Sequence, residues 1–298
     1  MKLLKAATLT VRDVAASADL YTKWLEYRVV ERSTVSTSLA HSWGTPDTAG
    51  RDVCVLQPAS GASVYLRLIQ GDIPDDYVPL RSYGWAAIEI CVQDVLAVAK
   101  RMADSPFEII GPPREIPGLT AIYPMQVQGP DGEIVYFTQI RDDLPTFDLP
   151  RAGTLIDHLF ILVMACSDLQ GSLRWMARNT GLSIGSAGMD IEYTMIAKAF
   201  GLPLDSLHTI GMMAHERDAF LELDQYPAAA TKRPHANGQL VPGASIGTLA
   251  TPDIDALYAT REAPWLSAPA TQGSYLYAGK PSGTLRDPDG TLIEIVEI

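Results

Sequence analysis

The chain has 298 residues, a formal net charge of −12 at pH 7, and 47% hydrophobic against 19% charged residues. That is apolar material for one large or two ordinary soluble domains. No basic face is available to neutralise phosphates or an anionic lipid surface, which excludes a general nucleic-acid or membrane-surface binder. Cys54, Cys91 and Cys166 lie far apart in apolar segments with no CxxC pair, as free thiols of a reducing cytoplasm do. Residues 1–5 begin like a signal peptide but run straight into TLTVRD without a long apolar core. No segment reaches the roughly 20 apolar residues of a spanning helix, and a cytoplasmic location is expected.

In chain order, residues 6–13 read as a strand and 14–27 as an amphipathic helix, followed by an extended region and strands over 51–57 and 63–70. The order restarts with a strand over 85–92, a helix over 95–104 opened by Gln93-Asp94, and strands over 107–110, 120–128 and 133–140. Residues 142–150 (DDLPTFDLP) are a Pro- and Asp-rich connector. A third start is the strand over 155–164, with Ser167-Asp168 capping a helix over 169–180. An inserted helix is expected over 193–200, closed by Gly201-Leu202-Pro203, then strands over 207–214 and 219–224. The fourth start is the strand over 245–251, a helix opened at 253–257, and strands from 265 to the end.

Four strand–helix–strands units in two pairs predict two homologous domains, residues 1–145 and 151–298. Two turn-plus-strand copies support the repeat. Residues 129–139 read GPDGEIVYFTQ and residues 287–297 read DPDGTLIEIVE, with Tyr136 standing where the later copy has Glu294.

These motifs, with the strand-to-helix starts TVRDVAASADLY, VQDVLAVA and TPDIDALY, resemble the vicinal oxygen chelate superfamily of glyoxalases, extradiol dioxygenases, epimerases and bleomycin-resistance proteins. The resemblance implies an α+β fold of four βαβββ modules forming two glyoxalase-like domains, each a curved mixed sheet with outer helices. It also implies metal ligands on the first and last strands of each unit. By position these are Ala6, Arg67, Ala87 and Tyr136 in the first half, which reads as metal-free, and His158, Glu222, Ile246 and Glu294 in the second. Ile246 departs from the family, whose glyoxalases and extradiol dioxygenases usually carry a donor there.

Strand alternation puts His158 with Phe160 and Leu162, Glu222 with Phe220 and Asp224, and Glu294 with Leu292 and Val296, each set opposite an aliphatic face. His158, Glu222 and Glu294 are therefore the expected ligands of a divalent ion (Fe(II), Zn, Mn or Ni) with positions left open for substrate. By the same alternation Asp157 points away from His158. Glu222 or His208 would move a proton, His208 alternatively being an edge histidine, as His215 is read to be. Tyr275 and Tyr277 share one face of SYLYAG and would line the pocket or orient a substrate oxygen, Tyr277 then counting as catalytic, or else be ordinary core. The expectation is a metal-dependent lyase or isomerase on a small oxygenated substrate, working as monomer or homodimer without nucleic-acid or membrane partners. Its alternatives are an Fe(II) extradiol dioxygenase and a metal-free drug- or metabolite-binding protein.

Overall fold

The protein is described by a computed structural model covering residues 2–260, 262 and 264–298. Unit 1 comprises β1 (Leu4–Val11), α1 (Val14–Leu25), β2 (Arg28–Thr34), the short α2 (Thr37–Ser42), β3 (Asp52–Gln57) and β4 (Tyr65–Gln70). Unit 2 comprises β5 (Gly84–Val92), α3 (Val95–Ala103), β6 (Glu108–Gly111), β7 (Ile122–Gln128) and β8 (Ile134–Ile140). Unit 3 comprises β9 (Ile156–Cys166), α4 (Leu169–Thr180), β10 (Ser183–Glu192), the inserted α5 (Thr194–Phe200), β11 (Leu207–His215) and β12 (Asp218–Gln225). Unit 4 comprises β13 (Gly243–Thr251), α6 (Ile254–Ala259), β14 (Ala270–Thr271), β15 (Pro281–Arg286) and β16 (Leu292–Glu297).

One device starts every unit. The first strand runs to an aspartate whose carboxylate caps the helix that follows. Asp13 accepts from the amides of Ala15 and Ala16, Asp94 from Leu96 and Ala97, Asp168 from Gly171, and Asp253 from Ala256. These bonds satisfy amides that a helix start otherwise leaves without partners, so one residue sets where each helix leaves its strand.

The α+β architecture is as expected, with two differences inside it. The ten-residue β10 was not anticipated: most of its residues are exposed, and Gly185 and Gly188 break any alternation. The strand expected around 275–277 is a single 3-10 turn, Tyr275–Tyr277, started by Ser274.

The units do not pair as the two-halves division suggests. One eight-stranded sheet runs β14-β15-β16-β13-β1-β4-β3-β2, and the other β10-β11-β12-β9-β5-β8-β7-β6. Unit 1 therefore joins unit 4 through antiparallel β1 and β13, and unit 2 joins unit 3 through antiparallel β5 and β9. Each hollow takes one unit from residues 1–145 and one from residues 151–298. Alternation within a strand decides which face is buried, but it carries no information about which unit lies across the seam.

The two sheets pack against each other closely. A Cβ on Gly247 of β13 would lie 2.5 Å from Trp85 Cζ2 and 2.8 Å from Leu162 Cδ1, so only glycine fits there. Trp85 Nε1 crosses the same contact to donate to the Leu292 carbonyl at 2.9 Å. A second, smaller buried cluster, including Ala87, Tyr136, Phe160, Val163 and Met212, lines the hollow of units 2 and 3.

Candidate active site

In the hollow of units 1 and 4, Thr8 lies beside Arg67 in the β1–β4 ladder, and Thr248 lies beside Glu294 in the β13–β16 ladder. Ala6 and Ile246, the positions carried over from the resemblance, each lie two residues short of these. Arg67 and Glu294 are both fully buried and form an ion pair, Nη2 to Oε2 at 3.1 Å. The guanidinium also donates to Thr8 Oγ1 at 2.8 Å and to the Tyr277 hydroxyl at 2.6 Å, and it lies over the Trp43 ring at 4.7 Å. Glu294 accepts from Trp43 Nε1 at 2.7 Å, Tyr277 OH at 2.8 Å and Thr248 Oγ1 at 2.8 Å. Burial works against charge on Arg67, but Glu294 and Tyr277 outweigh it and the guanidinium pKa is raised.

A metal ion does not fit here, because the resident guanidinium supplies the positive charge and takes up the carboxylate. Glu294, expected as a metal ligand, and Tyr277, expected to line the pocket or orient a substrate oxygen, are instead two members of this closed network.

The hollow of units 2 and 3 is open. It encloses a cavity of about 540 Å³, walled by apolar side chains such as Ile122, Phe160, Ile161, Ile210 and Met212. The connector 142–150 is part of this wall rather than a free linker: Leu144, Thr146, Phe147 and Leu149 face the cavity, and Asp148 is tied to Arg217 at 2.9 Å. Glu89 of β5 and Glu222 of β12 both reach the cavity. Their strands flank β9, where Glu89 stands opposite Ile161 and Glu222 beside Val163, so their backbones are two strand spacings apart across the sheet and two residues apart along it, roughly 12 Å in all.

Thr138 Oγ1 donates to Glu89 Oε1, and Tyr193 OH, which contacts Tyr136 OH at 3.0 Å, donates to Glu222 Oε1 at 3.2 Å. Asp224 stands on the same strand behind Glu222, 1% exposed, near Glu222 and Tyr193 but with neither oxygen in hydrogen-bond geometry. Burial, reinforced by the charge of Glu222, pushes the Glu89 pKa up to about 8. Burial likewise raises Glu222 to about 7 against the pull of its hydrogen bond from Tyr193, and it raises Asp224 well above the ordinary range.

The sign of the pH effect follows. Glu89 and Glu222 hold protons in the folded state that the unfolded chain loses near pH 4.5. Their contribution to stability is complete below that pH and is lost as pH rises through the folded values of about 7 and 8. The unfolding temperature should therefore fall between pH 5 and pH 8.5. In Glu89→Gln and Glu222→Gln, calorimetry should find the slope flattened and the alkaline end raised by roughly 2–4 °C per kcal/mol recovered.

Glu222 thus faces a cavity as expected, but His158 and Glu294 do not join it. A bulge in β9, where Glu89 pairs with Ile161 and Ile90 with Leu159, shifts the inward positions, and the residue beside Glu222 is Val163. His158 lies nearer the start of β9. Its Nδ1 is 3.0 Å from Asp157 Oδ1, so the two do meet despite being adjacent in a strand, and 3.7 Å from Cys91 Sγ.

Among the described residues, Cys91, Asp157 and His158 are the group of His, Cys, Asp or Glu side chains whose donor atoms gather within 4.8 Å, a set able to hold a divalent ion. Asp157 is also bound by Ser60 Oγ and the Gly153 amide; these bonds outweigh burial and lower its pKa, while burial pushes the Cys91 thiol up to about 12. His208 is buried near the start of β11, its Nε2 without a partner and its pKa lowered by burial. His215 lies at the other end of that strand, opposite Asp218. Tyr275 is about half exposed, edge-on to Tyr65 at 5.8 Å, and lines neither hollow's acidic centre.

Glu89 was missed in the sequence, although WAAIEICV carries a lone acid in an apolar strand, the same signal that singled out Glu222 and Glu294.

No family model matches the chain, and no curated protein does. Solved structures do. Glyoxalase I from Zea mays superposes with a TM-score of 0.65 over 100% of this chain and 92% of its own, at 17% identity. A protein of Bacillus subtilis named as a putative dioxygenase superposes with a TM-score of 0.62 over 99% of this chain and 86% of its own, at 11% identity. The chain has the vicinal oxygen chelate fold. At such identities the likeness carries the architecture and leaves the chemistry to the side chains in place. Within this fold the present protein has one hollow closed by an internal ion pair and one open, acidic hollow. Around the open hollow's acids the lining includes Glu89, Tyr136, Phe160, Ile161 and Glu222, two carboxyl groups and a phenol without an imidazole. That set does not make the oxygen-and-nitrogen cage of a catalytic divalent site. Among the described residues no helix is long and apolar enough to cross a membrane.

Proposed function

We propose that the protein is an enzyme, a lyase or isomerase, acting on a small and largely apolar substrate with an oxygen function in the hollow of units 2 and 3. The observation that supports this reading is a pair of carboxyl groups, Glu89 and Glu222, with pKa values of about 8 and about 7 inside a cavity of about 540 Å³. A proton-transfer group works best with a pKa near the operating pH, and groups whose values differ divide into base and acid. Glu222, the lower of the two, takes a proton from a carbon made acidic by a neighbouring carbonyl. Glu89, still protonated, gives its proton to the carbonyl oxygen. Where the substrate carries an α-hydroxyl, the product of this step is an enediol. Glu222 then returns its proton to the former carbonyl carbon while the α-hydroxyl gives its proton to the now ionised Glu89 and becomes the new carbonyl, an isomerisation. Where it carries a β-substituent, the enol hydroxyl returns its proton to Glu89 as the carbonyl re-forms, and the substituent leaves with the proton held by Glu222, a lyase reaction. Tyr193 holds Glu222 in place, and Tyr136 supports Tyr193.

The extradiol alternative needs two imidazoles and a carboxylate around one iron, and neither His158, His208 nor His215 stands with Glu222 in such a group. The three free, buried thiols suit work in a reducing cytoplasm. Each hollow is completed within a single chain, so a monomer suffices for the proposed chemistry.

The test is solvent-deuterium exchange at carbons next to the carbonyl in a panel of apolar α-hydroxyketones, followed by proton NMR. Exchange catalysed by the wild type and lost in Glu222→Gln supports the enzyme. Saturable binding without exchange of any member would establish sequestration instead.

A further inference from the structure

We propose that the molecule taken up by the hollow of units 2 and 3 carries a cationic nitrogen, an amine or guanidine on an apolar body, seated between Glu89 and Glu222. This deepens the functional reading above, since it names the substrate class of the same cavity, but it is tested by binding alone.

The two hollows of the molecule supply the reasoning. In the closed one, the last strand of unit 4 presents Glu294, and the last strand of unit 1 presents Arg67 to meet it. In the open one, the last strand of unit 3 presents Glu222. Its counterpart on unit 2 is Tyr136, which stands beside Glu89 in the β5–β8 ladder as Arg67 stands beside Thr8 in the β1–β4 ladder. The open hollow thus keeps the acid, adds a second one in Glu89 and omits the cation.

Among the described residues, the hydrogen bonds to Glu89 and Glu222 come from the neutral hydroxyls of Thr138 and Tyr193. The cations on the cavity wall are engaged elsewhere: Arg114 pairs with Glu192 at 3.1 Å, and Lys198 donates to the Ile110 carbonyl at 2.9 Å. Behind Glu222, the buried Asp224 has no hydrogen-bond partner for either oxygen.

Buried acids without a counter-ion stay protonated or acquire a cation from outside. The walls decide which kind of cation. A metal ion at this point would find Ile161 and a phenol where it needs further donors, whereas an organic cation finds apolar side chains for its body and two carboxyl groups for its nitrogen. Binding would ionise Glu222, the lower of the two, so a proton leaves the protein as the cation enters, while Glu89 keeps its proton.

The test is titration calorimetry on the full chain at about pH 7 with three probes of one shape and with manganese chloride. The probes are 2-(2-naphthyl)ethylamine, 2-(2-naphthyl)ethanol and 2-naphthylacetate. The amine should bind roughly 10- to 100-fold more tightly than the alcohol, the range of one or two charge-assisted hydrogen bonds, and the acid least tightly. Repeating the titration in buffers of different ionisation enthalpy should show proton release. The preference for amine over alcohol should vanish in Glu222→Gln and shrink in Glu89→Gln. It should also vanish in Tyr136→Arg, which places a guanidinium where the closed hollow has one and so guards against a poorly folded Gln variant.

The proposal is overturned if the alcohol binds as tightly as the amine or if no probe binds. It is equally overturned if the preference survives all three substitutions, or if manganese binds stoichiometrically and displaces the amine. Failure of deuterium exchange leaves amine binding intact, so loss of the enzymatic reading and loss of this one are separately visible.

Discussion

Glu294→Ala should lower the free energy of unfolding by about 3–5 kcal/mol, the range for removing one partner of a buried ion pair. Arg67 is left as a buried charge with only neutral partners, Thr8, Tyr277 and the Trp43 ring. Trp43 Nε1, Tyr277 OH and Thr248 Oγ1 each lose an acceptor in the same step. Arg67→Met should be nearly as damaging, because it strands the carboxylate instead. The double variant Arg67→Met with Glu294→Gln should recover most of the loss, since two neutral groups of similar bulk replace the pair and no charge remains in the core. Chemical denaturation of wild type, Arg67→Met, Glu294→Gln and the double variant forms a double-mutant cycle. Additive losses would contradict the view that these two residues complete each other. None of the four should change in metal content, because Glu294 already has a cation within the chain.

Glu222→Gln should remove about two to four orders of magnitude from turnover, the usual contribution of a positioned acid or base, while the protein keeps its fold. An amide accepts the Tyr193 hydrogen bond but takes no proton from carbon. Glu89→Gln should show a smaller loss together with a changed pH profile. The alkaline limb, set by the group that must stay protonated with a value of about 8, should disappear. Equal activity in wild type and Glu222→Gln would remove proton transfer from this carboxylate. Turnover at fixed substrate across pH 5–10 in the three proteins separates these outcomes.

The units were legible in the sequence because each is written in local terms. An aspartate at a strand end, an apolar helix face and an Asp- or Pro-rich turn before a β-branched strand recur four times, and α4 falls where its pattern puts it. What the sequence withheld is long-range. Nothing local tells β1 to pair with β13 rather than cross into unit 2, and that pairing sends Glu222 and Glu294 to different hollows. The bulge in β9 costs more information still, since one extra residue changes which side chains of the strand face inward, and the register sets Val163, not His158, beside Glu222. Arg67 carried a readable signal, a lone cation inside SVYLRLIQ. Its meaning appears only with Glu294 across the seam, because charge pairs between distant strands leave no spacing rule to follow. Glu89 is the mirror case: one pleat away from Ala87, it lies in the half expected to be metal-free and brings a second carboxyl group to the open hollow beside Glu222.

The most direct measurement is a carbon-13 NMR titration of glutamate side-chain carboxyls, with Glu89→Gln and Glu222→Gln used to assign the two resonances. Two coupled midpoints near neutrality, about 7 and about 8, are expected where an ordinary glutamate titrates near 4.5. If both carboxyls instead titrate together at that ordinary value, they are solvated surface acids, and the open hollow has neither a poised acid and base nor an unmet demand for a cation.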